Sequence, residues 1–155
     1  MRFTLTPFLL ALTTLAAACV ASVETDGSDK RFPVSSDYPP GTMERVSFVA
    51  GVAEGWLCNR ENAGIRFSRP VKPSPATQNL SVDAVVMDRV AGPKHTHTNG
   101  EINLCFTEDG DAKFCGHAEG WVVFPRGSTH VPVVTDGRML ILYFLPGGAI
   151  EFVAE

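Results

Sequence analysis

From Val46 onward the chain breaks its apolar residues into short or alternating runs, each ended by Gly, Pro, Asn or Asp, and sustains no long 3.6-residue periodicity. Runs of this kind fit strands better than helices. They predict strands at Val46–Val52, Gly55–Cys58, Ile65–Ser68, Val82–Arg89, Glu101–Thr107, Ala112–Cys115, Gly120–Phe124, His130–Val134 and Arg138–Leu145, with a helical turn as the alternative near Met43–Glu54. Glu108-Asp109-Gly110-Asp111 and Asp136-Gly137 read as hairpin turns, and Pro70–Asn79, with Pro70, Pro73 and Pro75, reads as a loop outside any ladder. The 14 Gly and 11 Pro of the 155 residues suit such a turn-rich chain. The expectation is an all-β domain over residues 42–155 whose short antiparallel strands close as a barrel or a double-sheet jelly roll.

Residues 1–21 stand apart. Met1-Arg2 gives a positive start, Phe3–Val20 is small and apolar apart from its threonines and Pro7, and Ala16-Ala17-Ala18 meets the small-x-small cleavage rule. This reads as a secretory signal peptide and so as a secreted protein, extracellular or periplasmic, with no membrane partner once mature. The stretch is short for a membrane span and has no basic stop-transfer flank. Cys19, directly after the alanines, leaves lipoprotein anchoring as the alternative. Residues 22–41, rich in Ser, Asp, Gly and Pro, read as a disordered linker or pro-segment in which Lys30-Arg31 is a candidate processing site. Asn79-Leu80-Ser81 is a glycosylation sequon that has meaning only on a eukaryotic secretory route.

The charge, 13 basic against 17 acidic residues and −4 net, supplies no patch to neutralise phosphates, so nucleic acid is not an expected partner. Beyond the leader, Cys58, Cys105 and Cys115 are an odd set and allow at most one bridge. Cys105 with Cys115 flanks one expected hairpin, and buried free thiols are the equal alternative.

The chemistry gathers in two segments. In Gly92-Pro93-Lys94-His95-Thr96-His97-Thr98-Asn99-Gly100-Glu101, strand alternation puts His95 and His97 on one face, and Glu101 returns to it. In Pro125-Arg126-Gly127-Ser128-Thr129-His130, Pro and Gly turn the chain to deliver a third His. Three imidazoles and a carboxylate suit a divalent Fe, Mn, Zn or Ni ion and leave room for water or substrate. By the same alternation Asn103 and Cys105 should line the interior beside Glu101, with Leu104 and Phe106 facing the other layer. The fourth histidine, His117, has no partner at ligand spacing and reads as a surface residue.

His95-x-His97-x-x-x-Glu101 followed by Gly120…Pro125-x-Gly127-x-x-His130 resembles the two motifs of the cupin superfamily. The resemblance implies a single double-stranded β-helix with these four residues as metal ligands and, in common with many cupins, pairing as a homodimer. Gly55-Trp56-Leu57-Cys58-Asn59-Arg60-Glu61, Val90–His95, Asn99–Ile102, Gly120–Val123, Gly127–Pro132 and Leu142–Pro146 are similar to the small cupin-type family of 4-hydroxylaminobenzoate lyases, which convert that compound to protocatechuate and ammonia. A small aromatic carboxylate is then the implied substrate. Glu101 would be a ligand or a proton carrier. Arg60, Arg66 and Arg126 are candidates to clamp the carboxylate, Asn103 to touch the substrate, and Tyr143, Trp56 and Trp121 to stack on its ring. Two other classes stay open on this scaffold: a metal-dependent oxygenase or isomerase of secondary metabolism, and a secreted binding module whose metal is structural.

Overall fold

A computed structural model of the chain describes residues 43–154. The expected signal peptide, the linker, Cys19 and Lys30-Arg31 lie outside those residues. Helix α1 (Met43–Ala53) precedes β1 (Arg60–Asn62), β2 (Ile65–Val71), β3 (Leu80–Asp88), β4 (His95–His97), β5 (Glu101–Phe114), β6 (Gly120–Phe124), β7 (Ser128–His130), β8 (Val134–Pro146) and β9 (Glu151–Phe152). The strands form a six-stranded sheet in the order β1-β2-β3-β8-β5-β6 and a three-stranded sheet in the order β7-β4-β9. Every pairing is antiparallel, as a jelly roll requires. Among the described residues no helix is long and apolar enough to cross a membrane.

The central strands β5 and β8 are buried on both faces. One face carries Ile102, Leu104 and Phe106 beside Leu140, Leu142 and Phe144, and α1 covers it through Phe48 and Val52. The other carries Cys105 and Phe114 beside Met139, Ile141, Tyr143 and Leu145 and forms the interior. The alternation read from Glu101, Asn103 and Cys105 against Leu104 and Phe106 is therefore the one the sheet adopts.

Several expected elements differ. Val46–Val52 lies within helix α1, the alternative left open, because Phe48 and Val52 four residues apart form one stripe that seals the sheet. Gly55–Cys58 is a bend, not a strand. Pro70 lies inside β2, tolerated where the β2–β3 register shifts between Ser68 and Val71. His130–Val134 is split, with His130 ending β7 and Val134 opening β8. Among the described residues no disulfide joins Cys58, Cys105 and Cys115. No hairpin brings Cys105 and Cys115 together, because Glu101–Thr107 and Ala112–Cys115 belong to one continuous run, β5 ending at Phe114.

Neither expected hairpin turn is a turn. Asp109–Asp111 and Asp136-Gly137 face each other across the β5–β8 ladder, where Gly110 pairs with Gly137 and the register shifts on either side. A Cβ on Gly137 would collide with the Asp109 carbonyl oxygen, and one on Gly110 with that of Asp136. The glycines serve close backbone approach at a bulge rather than chain reversal. Gly137→Ala is expected to cost about 1–3 kcal/mol from overpacking alone. Urea denaturation would show this as a lower midpoint with an unchanged m-value, whereas parent-like stability would mean the ladder yields there.

Candidate metal centre

Strands β4 and β7 pair so that His95 lies opposite His130, Thr96 opposite Thr129 and His97 opposite Ser128. Directly opposed residues share a face, so all three imidazoles project to the same side of the small sheet. The chain then crosses to the large sheet, which Glu101 enters as the first residue of β5. One carbonyl ties the two motifs together: that of His97 accepts the Gly100 N–H at 3.2 Å and the Gly127 N–H at 2.7 Å. Gly127, at φ +77°, supplies the left-handed residue the second turn needs before His130.

The Nε2 atoms of His95, His97 and His130 form a triangle with edges of 3.0, 2.9 and 3.1 Å. A neutral imidazole nitrogen either donates or accepts, so three such contacts cannot all be hydrogen bonds. The Pro93 carbonyl lies 3.0 Å from His95 Nδ1 and can only accept, which places the His95 proton on Nδ1 and leaves a lone pair on Nε2. Glu101 Oε2 lies 3.0 Å from His97 Nδ1 and 3.8 Å from His95 Nε2. The first contact is off the hydrogen-bonding direction, so both atoms are buried without a hydrogen-bond partner. Asn103 Nδ2 donates to the other carboxyl oxygen, Oε1, at 2.7 Å.

Burial lowers His95, with the Pro93 contact offsetting part of the effect. Burial, helped by the His95 and His130 rings, lowers His97 to about 3. Burial holds the Glu101 carboxyl well above its ordinary range against the opposing Asn103 hydrogen bond. Without a cation the site thus favours neutral His95 and His97 and a protonated Glu101. These four residues fit a divalent cation: their ligand atoms lie within 4.8 Å of one another, and a cation would satisfy the orphaned carboxyl oxygen. Three imidazoles and one carboxylate are a donor set that iron, manganese, nickel and zinc all accept.

The other expected site residues divide. Asn103 and Tyr143 are directly opposed on β5 and β8, on the Glu101 face, and both are buried. Burial and the nearby Glu101 hold the Tyr143 hydroxyl well above its ordinary range, so it is a donor. Arg66 is not brought to the site. Its partner Val86 belongs to the layer under the helix, and Arg66 Nε donates to the Cys58 carbonyl at 3.2 Å. Arg60 is exposed on the far edge strand, 5.0 Å over the Phe67 ring. Arg126 is exposed on the turn before His130. Trp121 packs in the layer under the helix, away from the centre, and Trp56 donates to Glu54 at 3.1 Å. Asn79 is exposed, whereas Ser81 of its sequon is buried in β3. His117 is half-buried, its backbone paired with Phe114.

Other neighbours were not foreseen. Phe124 stacks on His97 at 6.1 Å and meets His130 edge-on at 4.1 Å, with Phe114 6.4 Å from His130. Cys115 Sγ lies 3.9 Å from His130 Nδ1. Parity alone could not have placed either ring: Phe114 has the opposite parity to Glu101 and reaches the interior only through the register shifts within β5, and Phe124 is set there by its pairing with Glu101.

A family model for PnbB, 4-hydroxylaminobenzoate lyase, matches residues 14–152. The chain belongs to the 4-hydroxylaminobenzoate lyase family. It is 32% identical over 140 residues to a 4-hydroxylaminobenzoate lyase of Pseudomonas putida, covering 77% of this chain and 80% of that one. It is 33% identical over 141 residues to the lyase of that name from Nocardioides sp. (strain LMS-CY), covering 83% of each. Among solved structures it is similar to the DMSP lyase DddQ from Ruegeria pomeroyi DSS-3, with a TM-score of 0.52 over 95% of each chain and 19% identity. At that identity the shared property is the fold, which in this 4-hydroxylaminobenzoate lyase family member is the cupin-type jelly roll.

The titrations set a test. The raised Glu101 carboxyl stabilises the cation-free protein below the ordinary carboxylate range, and that contribution is lost as pH rises through the raised value. The lowered His95 and His97 act oppositely, stabilising above about 6.5 and losing that contribution as pH falls, for His97 toward about 3. A cation needs Glu101 ionised, so its binding should release a proton and tighten as pH rises. Elemental analysis is expected to find a divalent cation in the parent and to lose it in His97→Ala. Glu101→Gln is expected to weaken cation binding at least ~10-fold while raising the cation-free melting temperature at pH 8 by a few degrees, roughly. A fall in that temperature would contradict the buried-carboxyl account.

Proposed function

We propose that the chain is a metal-dependent lyase that takes 4-hydroxylaminobenzoate, or a close hydroxylamino aromatic acid, with one water to protocatechuate and ammonia. The observation that carries this is the Nε2 triangle beside a buried carboxyl, in a chain whose curated relatives bear that lyase's name. The reaction balances without an external oxidant, because the ring is oxidised as the N–O bond is reduced.

His95, His97, His130 and Glu101 are the residues that would hold the cation, which supplies Lewis acidity toward a substrate oxygen. Asn103 fixes Glu101 Oε1, so Oε2 is the atom at which this carboxyl can give or take a proton. Tyr143 keeps its proton and serves as a hydrogen-bond donor in the interior. Phe114 and Phe124 keep water from the imidazoles. Of the three candidate arginines, Arg126 alone sits on a turn that delivers a centre residue, and we assign it the substrate carboxylate. The leader at residues 1–21 supports export, so the protein from its native host is expected to begin at Cys19 or Ser22 on N-terminal sequencing; a chain still beginning at Met1 would remove that reading.

The cation-loaded parent is expected to release ammonia and form protocatechuate from 4-hydroxylaminobenzoate without consuming oxygen. His97→Ala and His130→Ala should each lower kcat/KM at least ~100-fold, and Arg126→Ala should act mainly by raising KM. Oxygen uptake coupled to turnover would favour an oxygenase instead. Metal-replete parent that releases no ammonia would remove this substrate.

A further inference from the structure

The walls of the centre are unequally covered. Phe114 and Phe124, against His130 and His97, are buried, with Phe124 at 7% exposure. On the remaining side stands β9, two residues long yet well anchored. Phe152 pairs with His95 and Glu151 with Thr96, and the Val153 N–H donates to the Lys94 carbonyl at 3.0 Å. This register extends the cross-strand row from His130 through His95 to Phe152, on the face that holds the imidazoles. The Phe152 ring stands edge-on to His95, centroids 6.0 Å apart at 79°. It is also 65% exposed. Backbone pairing therefore orders a large aromatic side chain beside a buried imidazole while leaving most of its surface uncovered.

We propose that Phe152 is a specificity-determining residue, the open wall of the centre, whose ring packs against the aromatic ring of the bound substrate. The occupant's aromatic character rests on the lyase reading above; the position of the wall rests on the β4–β9 register. A residue that merely finished the sheet edge could be any apolar side chain, which separates the two roles.

The test is isothermal titration of the full, metal-loaded protein with 4-aminobenzoate, an aromatic carboxylate with no N–O bond to break, and with cyclohexanecarboxylate, its non-aromatic counterpart. Phe152→Leu keeps apolar bulk on β9 and removes the ring; Phe152→Tyr keeps the ring. The parent is expected to prefer 4-aminobenzoate. Phe152→Leu should weaken that ligand roughly 3- to 10-fold and cyclohexanecarboxylate less than about 2-fold, with Phe152→Tyr close to the parent and metal content equal in all three. Parent-like affinity of Phe152→Leu for 4-aminobenzoate, or a parent with no preference for the aromatic acid, overturns the wall. Ammonia release is measured separately. Turnover with an unchanged KM in Phe152→Leu overturns the wall and spares the lyase reading, whereas ring-dependent binding without ammonia release keeps the wall and removes the lyase reading.

Discussion

Everything chemical in this fold depends on the pairing of β4 with β7. These strands have three residues each, and their register sets His95 against His130. A slip of one residue would turn His130 to the outer face and leave two imidazoles facing nothing. Few ladder bonds oppose such a slip, so the register is held from outside. The His97 carbonyl clasps both motif turns, and the Thr96 and Thr129 hydroxyls meet 2.7 Å apart on the opposite face. Edge strand β9 pairs along the other side of β4. Gly and Pro residues that look like punctuation in the sequence are what bring the ligands together.

The site also depends on layers that take no part in it. Because β5 and β8 are covered on both faces, Glu101 can enter the large sheet at 1% exposure without opening the centre to water. A buried ionised carboxylate with an unpartnered oxygen is costly. The structure offers two ways to avoid that cost, a proton on Glu101 or a cation among the imidazoles, and a shift between them couples occupancy to pH. Asn103 narrows the choice to one oxygen atom.

How much of this was legible in the sequence follows from the range of each signal. His95, His97 and Glu101 could be grouped from strand alternation, which is local, and His130 from the turn that precedes it. The layer assignment of Asn103 and Cys105 against Leu104 and Phe106 followed from the same rule. What failed needed information from across the sheet. Val46–Val52 is a short apolar run whose helical state is set by the sheet face it covers. Asp109–Asp111 and Asp136-Gly137 carry turn chemistry, but it serves a paired bulge visible only when the two segments are aligned. Arg66 was a reasonable cation until the β2–β3 register put it on the helix side. Phe152 lies in a two-residue strand that no periodicity could reveal, and its relevance appears only through its pairing with His95.

The placement of the arginines then makes physical sense. A divalent cation held by three neutral imidazoles and one carboxylate would give a centre of net charge +1, walled by Phe114 and Phe124. In such an interior that charge would attract an anionic substrate more strongly than in water. An unpaired guanidinium within the barrel would instead repel the cation and compete for Glu101. Neither arginine of β2 is of that kind: Arg66 faces the other layer, and Arg69 is paired with both oxygens of Asp83 at 2.6 and 2.9 Å. Arg126, exposed on its turn, can meet a carboxylate at the rim without that conflict. On the proposed reading a loaded centre would attract the substrate's carboxylate from a distance, Arg126 would hold it at the rim, and the aromatic walls would select the ring.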